Sequence, residues 1–380
     1  MRTFSVRTSL GFTIIELMIA MGIGLLLLTG LSMLFVNTNQ TNRELQKASQ
    51  QIENGRYAID TLSQDMRLAG FYGHLDDPTA ITAPATVPPD PCEGADTAKL
   101  LSALWYPVQG YAGTVHATNP ASDTRPDVSS TTCAALTAAN LKPGSDILVI
   151  RRADTNALLA TDVTVSNGFY IQASAKAAEI QLGTGSAVGL CGSGTAVELC
   201  KASGGTSVLK FNNGASPAPS SPIRRLHVSI YFVAPCSVGT DTVSGISGVC
   251  KAGDDSIPTL KRLELTSSGV FTIVPLVEGV DIFKVEYGVD TLPGAANPAT
   301  GYIGDASVDS FVATPADWRT VIGAKIYILA RNTELTSGYQ DTKTYTLGST
   351  AVPARNDNFK RHAFVTSVRV VNPAGRREIP

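Results

Sequence analysis

Charge is scarce in this chain. Only 16% of its 380 residues are Asp, Glu, Lys or Arg, against roughly 25% in an ordinary soluble protein. There is no basic excess either. Thirty Lys and Arg face 32 Asp and Glu, for a net charge of −2, so a phosphate-binding surface is not expected and nucleic acid is not an expected partner. The signatures of catalysis are missing: no G-x-S-x-G elbow, no H-E-x-x-H and no phosphate loop. The glycine runs Gly183–Gly189 and Gly192–Gly194 do not sit between a strand and a helix, as a dinucleotide site requires. No C-x-x-C occurs, and His74, His116, His227 and His362 lie far from any cysteine pair, which excludes a zinc site of the usual kind. No proline occurs between Met1 and Asp77.

What is present begins with hydrophobic residues, 43% of the chain, too many for a mostly disordered protein. Residues Phe12 to Val36 form a stretch with a single charge, Glu16. A membrane-spanning helix needs about 20 apolar residues. Eleven residues precede it, with Arg2 and Arg7 and no acid, and positive charge there holds that end in the cytoplasm and sends the rest outward. A cleaved secretory signal would end its apolar core in an A-x-A-like pattern, and none follows Val36. A plain anchor explains the length and the arginines but not Glu16, because a lone carboxylate in a bilayer costs several kcal/mol.

Gly11, Phe12, Thr13 and Glu16, set directly on that apolar run behind a short basic leader, resemble the prepilin signature of type IV pilins and type II secretion pseudopilins. The resemblance implies that a prepilin peptidase cuts between Gly11 and Phe12 and methylates the new N-terminus. It also implies that Glu16 pairs with the terminal amine of a neighbouring subunit in the filament, where the ammonium compensates the buried carboxylate.

The helical pattern continues past the membrane. Leu45, Ile52, Ile59 and Met66 recur every seven residues, and Ala48, Gly55, Leu62 and Ala69 follow each by three. This predicts one apolar stripe on a helix. A helix from Phe12 to Ala69 would be roughly 85 Å long. With Ala or Gly at three of the eight stripe positions, close packing on a sheet is expected rather than a coiled coil.

After Gly70 the sequence turns loop-rich. Residues 71–143 read as an irregular excursion with short elements, and 183–222 as a Gly/Ser/Pro-rich insertion. Between and after them, strands are predicted at 147–151, 225–233, 260–265, 280–287, 324–331 and 364–371. Arg151, Arg331 and Arg369 read as strand-face or edge residues. The segments Gly144–Arg152, Leu276–Asp290, Asp317–Arg331 and Arg361–Asn372 are similar to blocks of PilW-type minor pilins and, more distantly, of the J-type pseudopilin. The expected fold class is α+β and pilin-like: a leader at 1–11, a membrane or filament-core half-helix at 12–36, an amphipathic half at 37–70, and an exported antiparallel-rich β domain at 71–380.

Six cysteines, Cys92, Cys133, Cys191, Cys200, Cys236 and Cys250, all follow the apolar segment. An even count on the outward side implies disulfides, with 15 connectivities open. Pairing of sequence neighbours is the simplest expectation. The PilW resemblance also points to an Asp-rich calcium loop after the 276–290 block. Here Asp290, Asp305 and Asp309 are the candidate ligands, although the D-x-D-x-D spacing is absent.

The expected function is structural, with no enzymatic activity. The resemblance implies a minor pilin in a type IV pilus initiation or tip complex. It would be held single-pass in the inner membrane with its C-terminal domain periplasmic, then carried to the pilus tip. Expected partners are other minor and major pilins, the prepilin peptidase, the inner-membrane assembly platform and a tip adhesin. The alternatives are a type II secretion pseudopilin and a tip-located module binding surfaces or DNA through its loops.

Overall fold

The computed structural model describes residues 11, 13–75, 88–93, 96–157, 168–174, 178–183, 221–266, 270–291 and 304–378. Residues 1–10 of the expected leader and the cysteines Cys191 and Cys200 lie outside them. Two compact units are present, Met1–Gln50 and Gln51–Pro380.

A single helix, α1 (Ile14–Leu68), runs unbroken for 55 residues. Its length follows from the absence of proline, whose ring would clash with the preceding turn. It ends where Gly70 takes a φ of +75°, the left-handed conformation that lacks a penalty only for glycine. The Gly70 N–H donates to the Arg151 carbonyl at 2.9 Å, which turns the chain onto the sheet.

The second unit contains, in order, α2 (Thr97–Ser102), β1 (Val108–Tyr111), β2 (Ile147–Ala153), β3 (Gly168–Ala173), β4 (Ala178–Gly183), β5 (Ile223–Ala234), β6 (Asp241–Val243), β7 (Ile246–Val249), β8 (Thr259–Leu265), β9 (Phe271–Glu278), β10 (Val280–Val289), β11 (Ser310–Val312), β12 (Val321–Arg331), β13 (Tyr345–Leu347), β14 (Thr350–Val352), β15 (Arg361–Arg369) and the short helix α3 (Val371–Gly375). A seven-stranded sheet has the order β1-β2-β5-β3-β4, with β8 and β9 added alongside β5. A four-stranded sheet has the order β11-β10-β12-β15. The ladders of both sheets are antiparallel. The fold is therefore α+β with a pilin-like layout, a long apolar helix and antiparallel sheets.

The seven-stranded sheet is covered on both faces. One face packs on α2, Tyr72, Leu75 and the 133–141 segment. The other shares a core with the four-stranded sheet and with Ala58, Leu62, Met66 and Ala69 of the helix. Two-sided burial explains why β2 and the C-terminal half of β5 read as continuous apolar runs rather than alternations.

The helix face differs from the expected stripe. Met66 is fully buried and Ile59 partly so, but Ile52 is 40% exposed and Leu45 is exposed. Seven residues fall short of two turns of a straight helix by about 20°, so a strict heptad walks off the buried face. The buried positions are Gln51, Gly55, Ala58, Leu62, Ser63, Asp65 and Met66, with three polar members that a hydrophobic pattern cannot find.

Candidate assembly sites on the helix and domain

The first site is the start of α1. Thr13 and Glu16 bond reciprocally. The Glu16 N–H donates to the Thr13 hydroxyl oxygen at 3.3 Å, and the Thr13 N–H donates to Glu16 Oε2 at 3.1 Å. The Thr13 hydroxyl donates to the same oxygen at 3.1 Å. This is a capping box, which satisfies two of the orphan donors of a helix start. The T-x-x-E spacing was available in the sequence but is masked there by the prepilin reading of the same residues. Both contacts use Oε2, and among the described residues Oε1 accepts no hydrogen bond. Gly11 is exposed and Phe12 lies outside the described residues.

Beyond the box, Ile14, Leu17, Ile19, Leu25, Leu28, Leu31, Leu34 and Val36 are all exposed in the isolated chain. Thr29, which would be a polar defect, donates its hydroxyl to the Leu25 carbonyl at 2.8 Å. The helix is long and apolar enough to cross a membrane.

The second site fixes residues 51–70 to the domain through polar contacts at both ends. Gln51 donates its amide to the Ala330 and Lys360 carbonyls at 2.8 and 2.9 Å. Asn54 donates to the Glu278 carbonyl at 3.1 Å. Gly55 receives the ring of Phe364 so closely that an added Cβ would lie 2.2 Å from it. Near the far end, buried Asp65 accepts from Arg152 and from the Tyr231 hydroxyl, the latter at 2.8 Å. Burial, reinforced by Asp65, raises the Tyr231 hydroxyl well above its ordinary value, so it remains a donor. Arg376 donates to the Gly70 carbonyl at 2.8 Å, and Asn372 to the Ala69 carbonyl at 3.1 Å. These answer the unpaired carbonyls and the negative dipole end of α1.

A buried ionic cluster holds the loops that flank this site. Asp281 at the start of β10 meets Lys142 at 3.1 Å and Arg361 at 2.8 Å. Arg361 also reaches Asp341 at 2.9 Å and Asp357 at 2.6 Å. Burial alone would raise the Asp281 carboxyl, but Lys142, Arg361 and Arg331 together hold it far below the usual carboxylate range. Arg151, expected as a strand-face residue, is buried and donates to the Tyr106 carbonyl and to Gln109.

The three candidate calcium ligands are engaged separately. Buried Asp290 faces Arg377 at 3.4 Å and accepts from the Ala306 N–H at 3.0 Å. Asp305 accepts from the Ser307 N–H, and Asp309 from the Thr291 N–H. A cation at Asp290 would therefore compete with a guanidinium already there. Among the described residues, the ligand types that do gather are Asp90, Cys92 and Cys133. Those two sulfurs are joined as a disulfide, and Cys236 is joined to Cys250, which removes the thiolates a metal would need.

Comparison with known proteins bears on both sites. The profile of the family described as type IV pilus-assembly protein W matches residues 231–372. The prokaryotic N-terminal methylation motif matches residues 7–32. No curated protein and no solved structure matches the chain.

Proposed function

With a type IV pilus-assembly W domain behind a prepilin N-terminus, this chain is a PilW-type minor pilin, and we propose that it acts in the complex that starts or caps a type IV pilus. A structural, non-enzymatic role follows from that family. The prepilin peptidase would release residues 1–11, leaving Phe12 as the terminal amine. Arg2 and Arg7 would keep the leader cytoplasmic, so the β domain would face the periplasm. The size of that domain favours a terminal position over a repeating one, with other pilins bundled around α1 and the inner-membrane platform below.

The observation that carries this reading is the geometry of Glu16. Its Oε2 completes the capping box, and Oε1 is left to meet the ammonium of a neighbouring subunit. Removing one partner of a desolvated pair costs about 3–5 kcal/mol, enough to reduce incorporation by more than tenfold.

Glu16→Gln separates the two duties of the residue. Glutamine serves a capping box as well as glutamate, but it cannot neutralise an ammonium. The variant should insert in the membrane and be processed normally, yet be depleted more than tenfold from sheared filaments. Wild-type incorporation of Glu16→Gln would sink the pairing role. Immunogold label along the filament rather than at its ends would sink the terminal position.

A further inference from the structure

The two described disulfides sit in opposite electrostatic surroundings. Lys261 on β8 is 1% exposed. Its Nζ lies 3.7 Å from Cys236 Sγ and 3.6 Å from Cys250 Sγ, and it donates to the Gly248 carbonyl at 3.2 Å. No carboxylate pairs with it at salt-bridge distance among the described residues. Burial pushes the Lys261 ammonium below the ordinary lysine value, and Asp255 and Asp254 oppose that only through space. Asp255 is occupied by the Ser237, Val238 and Ile257 N–H groups, and Asp254 by Thr240 and the Lys251 N–H. Glu278, on the neighbouring strand, is taken by the Ser237 hydroxyl.

A buried ammonium thus faces two neutral sulfurs, which are weak acceptors. The arrangement suits the reduced state better than the oxidised one, because a thiolate would supply the missing counter-ion. At the other bond the charge is reversed. A carboxylate oxygen of Asp90 lies within 4.8 Å of both Cys92 and Cys133 sulfurs. Glu93 there is paired with Lys99, and Arg151 and Tyr111 feel Asp90 only through space. A thiolate at Cys92 or Cys133 would meet an anion.

We propose that Cys236–Cys250 is a thiol–disulfide exchange site primed by Lys261, and that Cys92–Cys133 is its redox-resistant counterpart. An external thiolate attacks one sulfur, the Cys236–Cys250 bond breaks, and the departing sulfur leaves as a thiolate beside the Lys261 ammonium. A second external thiol resolves the mixed disulfide, so the other cysteine becomes a thiol and the external disulfide is released. Two electrons enter the pair. Of the two external thiol protons, one stays on a cysteine and one goes to solvent. Both sulfurs are buried, so attack proceeds by local opening of the β6–β7 hairpin that the bond closes.

The test uses the full-length chain in detergent micelles. It is equilibrated in dithiothreitol buffers of fixed reduced-to-oxidised ratio at pH 6 to 8, where the buffer thiols stay protonated. Acid quenching, unfolding, alkylation and peptide mass spectrometry then read each cysteine separately. Release of one proton should make the equilibrium constant for reducing Cys236–Cys250 rise nearly tenfold between pH 7 and 8, while that of Cys92–Cys133 stays flat. Lys261→Met should make Cys236–Cys250 about tenfold harder to reduce at pH 7 and abolish its pH dependence. Lys261→Arg should preserve both. A flat wild-type profile at Cys236–Cys250, or the same slope at both bonds, overturns the proposal. That comparison lies within one molecule, so it decides the matter even if Lys261→Met does not fold.

Discussion

Gly55 offers a test in which two effects of known size oppose each other. Glycine in the middle of a helix is about 1 kcal/mol worse than alanine, so Gly55→Ala should stabilise the protein if propensity alone mattered. The structure argues otherwise. A Cβ at position 55 would lie 2.2 Å from Cε2 and 2.5 Å from Cδ2 and Cζ of Phe364. The ring must retreat by about 1.2–1.8 Å to reach ordinary contact. It is held by an edge-on contact with His362, 4.7 Å between centroids, and by the β12–β15 ladder beneath it. Overpacking of this kind costs about 1–3 kcal/mol. Subtracting the propensity gain leaves a net loss of about 0–2 kcal/mol. Phe364→Leu in the same chain should recover most of it, with a coupling energy of about 1 kcal/mol or more between the two positions. The assay is urea denaturation of the full-length chain in micelles, followed by circular dichroism. Gly24→Ala serves as the control, because nothing lies within 4 Å of the Cβ it would add. A rise of about 1 kcal/mol for Gly55→Ala on its own would refute the close contact.

Two further outcomes follow from the buried charges. Asp65→Ala should cost about 1–3 kcal/mol in the same denaturation assay, because it leaves the Arg152 guanidinium and the Tyr231 hydroxyl without their acceptor; a change under 0.5 kcal/mol would mean that α1 is held by packing alone. The depressed Asp281 carboxyl contributes stability that is fully present above the ordinary aspartate value of about 3.9 and is lost as pH falls through its lower folded value. Stability should therefore fall below about pH 4, and Asp281→Asn should cost about 3–5 kcal/mol at pH 7 while flattening that acid dependence; an unchanged acid profile would count against the cluster.

The sequence made the repetitive features legible. The buried run at 147–150 and the short alternation at 225–228 reflect patterns that burial imposes directly. The antiparallel α+β layout followed from them. Features set by single contacts were not legible. Gln51 and Asp65 look like surface residues until the carbonyls, arginine and tyrosine they meet are in place. β9 has no legible strand pattern with Pro275 inside it, yet its ladder with β8 accommodates the proline through a register shift between Leu260 and Lys261. Lys261 shares a strand face with the buried Leu263 and Leu265, but its charge reads as that of a solvated residue. Only the loop from Cys236 to Cys250 folding over it makes it interior.

The place of β5 at the middle of the larger sheet has a consequence for biosynthesis. Its twelve residues pair with β2, β3 and β8, but two of those partners precede it in the chain. When Ala153 first emerges into the space where the domain folds, β2 can find only the short β1. The strand that covers its other edge ends 81 residues later, at Ala234 (234 − 153 = 81). At 5–20 residues per second that interval lasts about 4–16 s. For that time the run Ile147–Ile150 is an open apolar edge of the kind that templates aggregation. Any chaperone dependence of the emerging chain should therefore map to this window rather than to the greasy N-terminus alone.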